Sequence, residues 1–201
     1  MHIRRGLALW LVLCAGAGPA VAADVTDPSW PCIQPKVPEL AVAQMWSAPM
    51  PESDPADAAE IDRLARQIAQ RRVSVDEATA AAAAFVEGEE GAAREARLGQ
   101  LYAAVLEQIN RERGAIIGGI GRYARHQAAL SDRVEEEQLE LAELEGGAEA
   151  DPERVEELRQ KLAWDTRIFR ERAQSLTYVC ETPVLLERRA FELARALAGL
   201  I

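Results

Sequence analysis

The chain has 201 residues, 33 Asp and Glu against 23 Lys and Arg, a formal charge of −10, and only 5% aromatic residues. The acidic balance argues against nucleic acid or an anionic membrane surface as a partner. A composition dominated by Ala, Glu, Arg and Leu suits long helices and argues against a sheet core.

Residues 1–23 carry Arg4 and Arg5, an apolar run from Leu7 to Leu13, Pro19, and the small residues Ala20-Val21-Ala22-Ala23. This is the pattern of a secretory signal peptide, cleaved after Ala22 or Ala23. The apolar run is too short to span a bilayer and no later segment is uniformly apolar, so no integral membrane span is expected. Cys14 would suit a lipoprotein signal only with a small residue before it, and Leu13 stands there instead. Cleavage removes two arginines and no acid, leaving 21 basic against 33 acidic side chains and a charge of −12. The two remaining cysteines, Cys32 and Cys180, belong to a chain routed to an oxidising compartment, here read as the periplasm, and are expected to form a disulfide. The mature length suits one domain.

Residues 24–52 contain Pro28, Pro31, Pro35, Pro38, Pro49 and Pro51. Each proline sets its own backbone and pushes its predecessor towards extended geometry, so an extended arm is expected. Trp30, Ile33, Val37, Leu40, Met45 and Trp46 require the arm to lie on something.

From residue 53 onward the chain reads as a helical domain. Ser53-Asp54-Pro55 starts a first short helix over about 55–72, with Ile61, Leu64, Ala65 and Ile68 at helical spacing. Ser74 and Glu77 form a capping-box pattern that opens a second over about 75–87. A very long helix follows over about 90–145. From Tyr102, steps of four and three select Leu106, Ile109, Arg113, Ile116, Ile120, Tyr123, Gln127, Leu130, Val134, Glu137, Leu141 and Leu144, a coiled-coil seam with three strongly polar members. At about 1.5 Å per residue this helix is on the order of 80 Å long. Gly146-Gly147 ends it, and Asp151-Pro152 begins a last helix over about 152–198 with a matching seam through Val155, Leu158, Leu162 and Phe169. The expected fold is therefore all-α: a long antiparallel, coiled-coil-like helical hairpin, with two short helices packed at its base and a proline-rich N-terminal arm. Folding at the glycines pairs positions whose numbers sum to roughly 299. Homodimerisation through the same seam is the architectural rival.

Gly114, Gly118, Gly119 and Gly121 lie where a soluble helix should least want glycine, each costing about 0.5–1 kcal/mol relative to alanine. The register puts them level with Cys180 and Pro183, so they are read as the place where the arm crosses the hairpin, or as a hinge. Pro183, with Thr182 before it, either caps a new helix or kinks a continuous one. Trp164, Leu141 and Leu158 near the hairpin tip are the candidate contacts for a protein partner.

Nothing in the sequence assembles a catalytic group. His126 is the one histidine left after cleavage, so no metal or cofactor site is expected: there is no i, i+4 His pair, no cysteine cluster and no C-x-x-C-H haem attachment. Glu135-Glu136-Glu137 and the acids that follow read as a solvated face without the spaced ligands of a calcium loop. The L-T-x-x-Q repeats of periplasmic helical chaperones are absent, since Leu176-Thr177 is followed by Cys180 where Gln would stand. These features point to an exported, non-enzymatic scaffold or interaction protein of the bacterial envelope, with a holdase-type chaperone as the alternative.

Overall fold

The structure is a computed structural model that describes residues 27, 29–48, 57–147 and 151–201. The signal peptide expected over 1–23 lies outside the described residues, as do 24–26, Pro28, 49–56 and the turn residues 148–150. Four helices follow the arm: α1 (Ala58–Ile68), α2 (Val75–Phe85), α3 (Gly91–Gly146) and α4 (Pro152–Ala198), and no strand occurs among the described residues. The arm contains one 3₁₀ turn, Val42–Gln44.

Local chemistry sets the ends of these helices. Ser74 accepts a hydrogen bond from the Glu77 N–H while the Glu77 carboxylate accepts from the Ser74 N–H, so the orphan donors at the start of α2 are satisfied. Between α2 and α3 the backbone turns through Gly88 at φ +85°, a left-handed conformation that side-chain-bearing residues rarely adopt. Asp151 caps α4 by accepting from the Glu153 N–H, and Pro152 fills a first-turn position where an N–H is not needed.

α3 and α4 form the hairpin. α3 has 56 residues, so it is on the order of 84 Å long. The short helices cover only its base, α1 against α3 and α2 against α4. There Ile68, Val86, Leu101, Tyr102, Ile109 and Leu193 are all fully buried in one core. Beyond that core the two long helices continue as a two-helix stalk.

The register agrees with the fold-back expectation to within about a turn. Glu137, expected opposite 162, pairs with Lys161. Gln127, expected opposite 172, donates to the Phe169 carbonyl at 2.7 Å, and Arg113, expected opposite 186, donates to the Pro183 carbonyl at 3.3 Å. α4 runs unbroken through Pro183, which is buried against the hairpin. The seam is thus closed within one chain.

Tyr102 links three parts of the base. Its ring stacks on Trp46 of the arm with centroids 5.1 Å apart, and its hydroxyl lies 3.3 Å from the Ala190 carbonyl of α4. Burial raises its pKa above the usual tyrosine value. The folded state therefore favours the neutral phenol. That stability is present below the unfolded tyrosine pKa and is lost as pH rises towards the folded value. Denaturant unfolding measured between pH 9 and 11.5 is expected to show stability falling above about pH 10 by up to roughly 1.4 kcal/mol per pH unit more in the parent than in Tyr102→Phe. Parallel profiles would show that another group is responsible.

Candidate functional site

The extended arm runs lengthwise along the hairpin, antiparallel to α3. The Ser29 carbonyl lies beside Gly121, Cys32 is bonded to Cys180, the Val37 carbonyl accepts from Arg113, Leu40 meets Asn110, and Trp46 stacks on Tyr102. Each step down the arm is a step back along α3. Proline and extended geometry leave the arm no internal ladder, so its backbone polar groups must find partners on the helices. Asn110 supplies two of them, donating to the Leu40 carbonyl and accepting from the Leu40 N–H, each at 3.0 Å.

Arg113 is the centre of this junction. Its side chain is 2% exposed; Nε donates to the Pro183 carbonyl, Nη2 donates to the Val37 carbonyl at 3.2 Å, and the Glu187 carboxylate stands 3.9 Å away. Burial pushes the guanidinium pKa down and Glu187 opposes the shift. One cation therefore ties together α3, α4 and the arm. The seam pattern marks Arg113 only as a polar interruption, and the signal that could have promoted it is the absence of an acid at the facing seam position.

The Cys32–Cys180 bridge is formed, with Cα atoms 5.6 Å apart and a sequence separation of 148. Closing a loop of that size removes on the order of 5 kcal/mol of unfolded-chain entropy as an upper figure. Clefts open on either side of it. One, about 320 Å³, is walled by Trp30, Pro35, Val37, Ile117 and Val184, with Arg113 and Glu187 at its polar end. The other, about 370 Å³, lies between Ile33 and Gln34 of the arm and Leu176 and Thr177 of α4. Trp46 is buried in the base, whereas Trp30 is only half-buried and donates its indole N–H to the Gln34 carbonyl at 2.7 Å.

The glycine expectation needs correction. A Cβ added at Gly114 would meet nothing within 4 Å, and at Gly118 or Gly119 it would meet only the flexible end of Arg122. At none of these three would a Cβ come within 4 Å of the arm. Only Gly121 does, with the Ser29 carbonyl 3.5 Å from where its Cβ would be. The whole patch is helical, so no hinge is visible there, and Pro183 is a seam residue whose carbonyl receives Arg113.

Polar cross-links run along the stalk beside its apolar seam. Arg133 pairs with Asp165 at 3.1 Å, Glu137 with Lys161 at 2.9 Å, Glu140 with Arg154 at 3.1 Å and Glu145 with Arg159 at 2.6 Å. Tyr123 donates to the Arg172 carbonyl at 2.8 Å. Of the three tip residues expected to meet a partner, Leu158 is buried and Leu141 half-buried, since both are seam residues packed in the hairpin itself. Trp164 is 57% exposed, with the Arg167 guanidinium 5.1 Å from its ring centroid. Leu139, which the seam arithmetic passes over, is 61% exposed. His126 is exposed. Among the described residues no three His, Cys, Asp or Glu side chains are grouped to hold a metal, and no helix is long and apolar enough to cross a membrane.

Comparison with known protein families, curated proteins and solved structures finds no match to this chain.

The arm's path makes the glycines separable by experiment. Gly121→Leu is expected to crowd the Ser29 carbonyl and slow closure of the bridge, whereas the pair Gly118→Leu with Gly119→Leu should close it normally. Free-thiol titration during oxidative refolding reads both; slow closure in the Gly118 and Gly119 variant would contradict the arm's path.

Proposed function

We propose that the chain is an exported, non-enzymatic interaction or scaffold protein of the bacterial envelope that works by holding its hairpin stalk away from a disulfide-stapled base. The observation that carries this reading is the division of the molecule. All four helices and the arm build one core at the base, while the stalk beyond it leaves Leu139 and Trp164 more than half exposed. Burying such large side chains is a usual source of binding energy at interfaces. The signal peptide pattern and the cysteine pair support an envelope location, most simply the periplasm.

A second reading, a holdase-type chaperone, is favoured by the apolar walls of the cleft between arm and hairpin. It requires unfolded clients to enter that cleft. Suppression of aggregation of a reduced, unfolded client at stoichiometric ratio, lost in the pair Val37→Glu with Val184→Glu, is the result it needs; no suppression by the parent protein removes it.

The stalk reading is tested by photo-crosslinking in cells that export the protein. A photoreactive residue placed at Leu139 or Trp164 is expected to give discrete protein adducts, whereas one at Ala92 in the base is expected to give none. Equal adduct yields at stalk and base, or none at the stalk, would remove the stalk as the working surface.

A further inference from the structure

Among the described residues the arm makes no hydrogen bond or ion pair with one flank of the stalk, and that flank carries an ordered change of charge. On α3, steps of four and three from Arg122 select His126, Ala129, Arg133, Glu136, Glu140 and Glu143, which share a flank because such steps return to one side of a helix. The base half of this stripe is basic and the tip half acidic. The cross-links of Arg133 to Asp165, Glu137 to Lys161 and Glu140 to Arg154 show which side of α4 adjoins it. The same steps on α4 from Lys161 select Trp164 and Ile168, the apolar middle of that side. Arg122, Glu136 and Glu143 are exposed and have no ion-pair partner among the described residues.

We infer that this flank binds a second copy of the chain, antiparallel, about a two-fold axis at Trp164. The argument is charge complementarity combined with register. An antiparallel pair of α3 stripes that sets Arg122 against Glu143 has its midpoint between Asp132 and Arg133. The same midpoint sets Ala129 against Glu136, and leaves His126 within a residue of facing Glu140. The Arg133 to Asp165 cross-link puts that midpoint at the height of Trp164, so the apolar residue falls on the axis and meets its own copy. Arg133, which also falls near the axis, and Glu140 are already paired within their own chain, with Asp165 and Arg154, so the charge complementarity rests on Arg122 against Glu143. A parallel arrangement would set basic half on basic half and acidic half on acidic half. A two-fold, self-complementary contact closes on itself and yields a dimer. This deepens the stalk reading by naming the occupant of the Trp164 flank.

The contact is modest: a flank about 32 Å long and two helices wide gives on the order of 600 Å² per partner, the low end for specific association. A dimer of micromolar affinity, weakened by salt, is the expected form.

The experiment uses the exported, disulfide-bonded chain in sedimentation equilibrium at 50 mM and 500 mM NaCl. The parent is expected to dimerise at low salt, with at least a tenfold weaker constant at high salt and in Trp164→Ala. One variant, Arg122→Glu with His126→Glu, makes both ends of the stripe acidic; another, Glu140→Arg with Glu143→Arg, makes both ends basic. Each alone is expected to be monomeric while keeping helical circular dichroism and the disulfide, and an equimolar mixture is expected to recover a dimer, since each flank then faces its opposite. Recovery in the mixture cannot come from misfolding. A parent that stays monomeric up to about 0.2 mM overturns the inference in favour of a different partner for this flank, and a dimer that persists in both variants overturns the interface. Either failure leaves the stalk reading to be decided by the crosslinking at Leu139.

Discussion

A buried guanidinium holds this molecule's parts in relation to one another. Arg113 reaches two main-chain carbonyls, Pro183 in α4 and Val37 in the arm, from a position with almost no solvent contact. A buried cation is tolerable only where such acceptors are fixed in place, so the arm's course and the helix register are coupled through one side chain. The disulfide acts on the same junction from the other side. The bridge limits how far the arm can move in the unfolded chain, whereas Arg113 and Asn110 select the position it takes when folded.

From that junction the molecule divides into two regions with different physics. Below it, Trp46, Tyr102 and the apolar faces of four helices make a core whose stability is mainly hydrophobic burial. Above it, two helices alone cannot enclose much apolar surface. Gln127, Glu137 and Tyr123 then contribute seam contacts of a directional kind, and ion pairs stitch the flanks. Exposed pairs of this sort contribute little each, so the stalk depends on the base to hold it folded and on matching polar groups to hold its register. An arrangement held by directional contacts keeps its shape while leaving its outer faces available.

Charge follows the same division. The tip half of the stalk is acidic and the half nearer the base is richer in arginine, so the stalk carries a lengthwise field that a net charge of −10 for the chain conceals. Such a field favours partners with the reverse order of charge and disfavours uniformly charged polymers. The proposed scaffold role and the proposed self-pairing are compatible uses of one design, in which patterned flanks on two packed helices would carry recognition.

Periodicity, capping residues and prolines made most of the architecture legible in the sequence. The capping box at Ser74, the proline start at Pro152 and the three-four stepping of the seams act through neighbours a few residues away, so element type and hairpin topology could be read without a structure. The cysteine count, with the signal-peptide pattern, also pointed to the bridge. The path of the arm was decided only by tertiary structure, because an extended segment has no periodicity of its own and lies wherever its carbonyls find donors, here Arg113 and Asn110. For the same reason Gly121 is approached by the arm, while a Cβ at Gly114, Gly118 or Gly119, alike in sequence, would meet no arm atom within 4 Å. At the tip the stepping had already set Leu158 on the seam and Trp164 off it; tertiary structure decided how far each is covered, burying Leu158 and leaving Trp164 57% exposed, because only the facing helix is there to cover them.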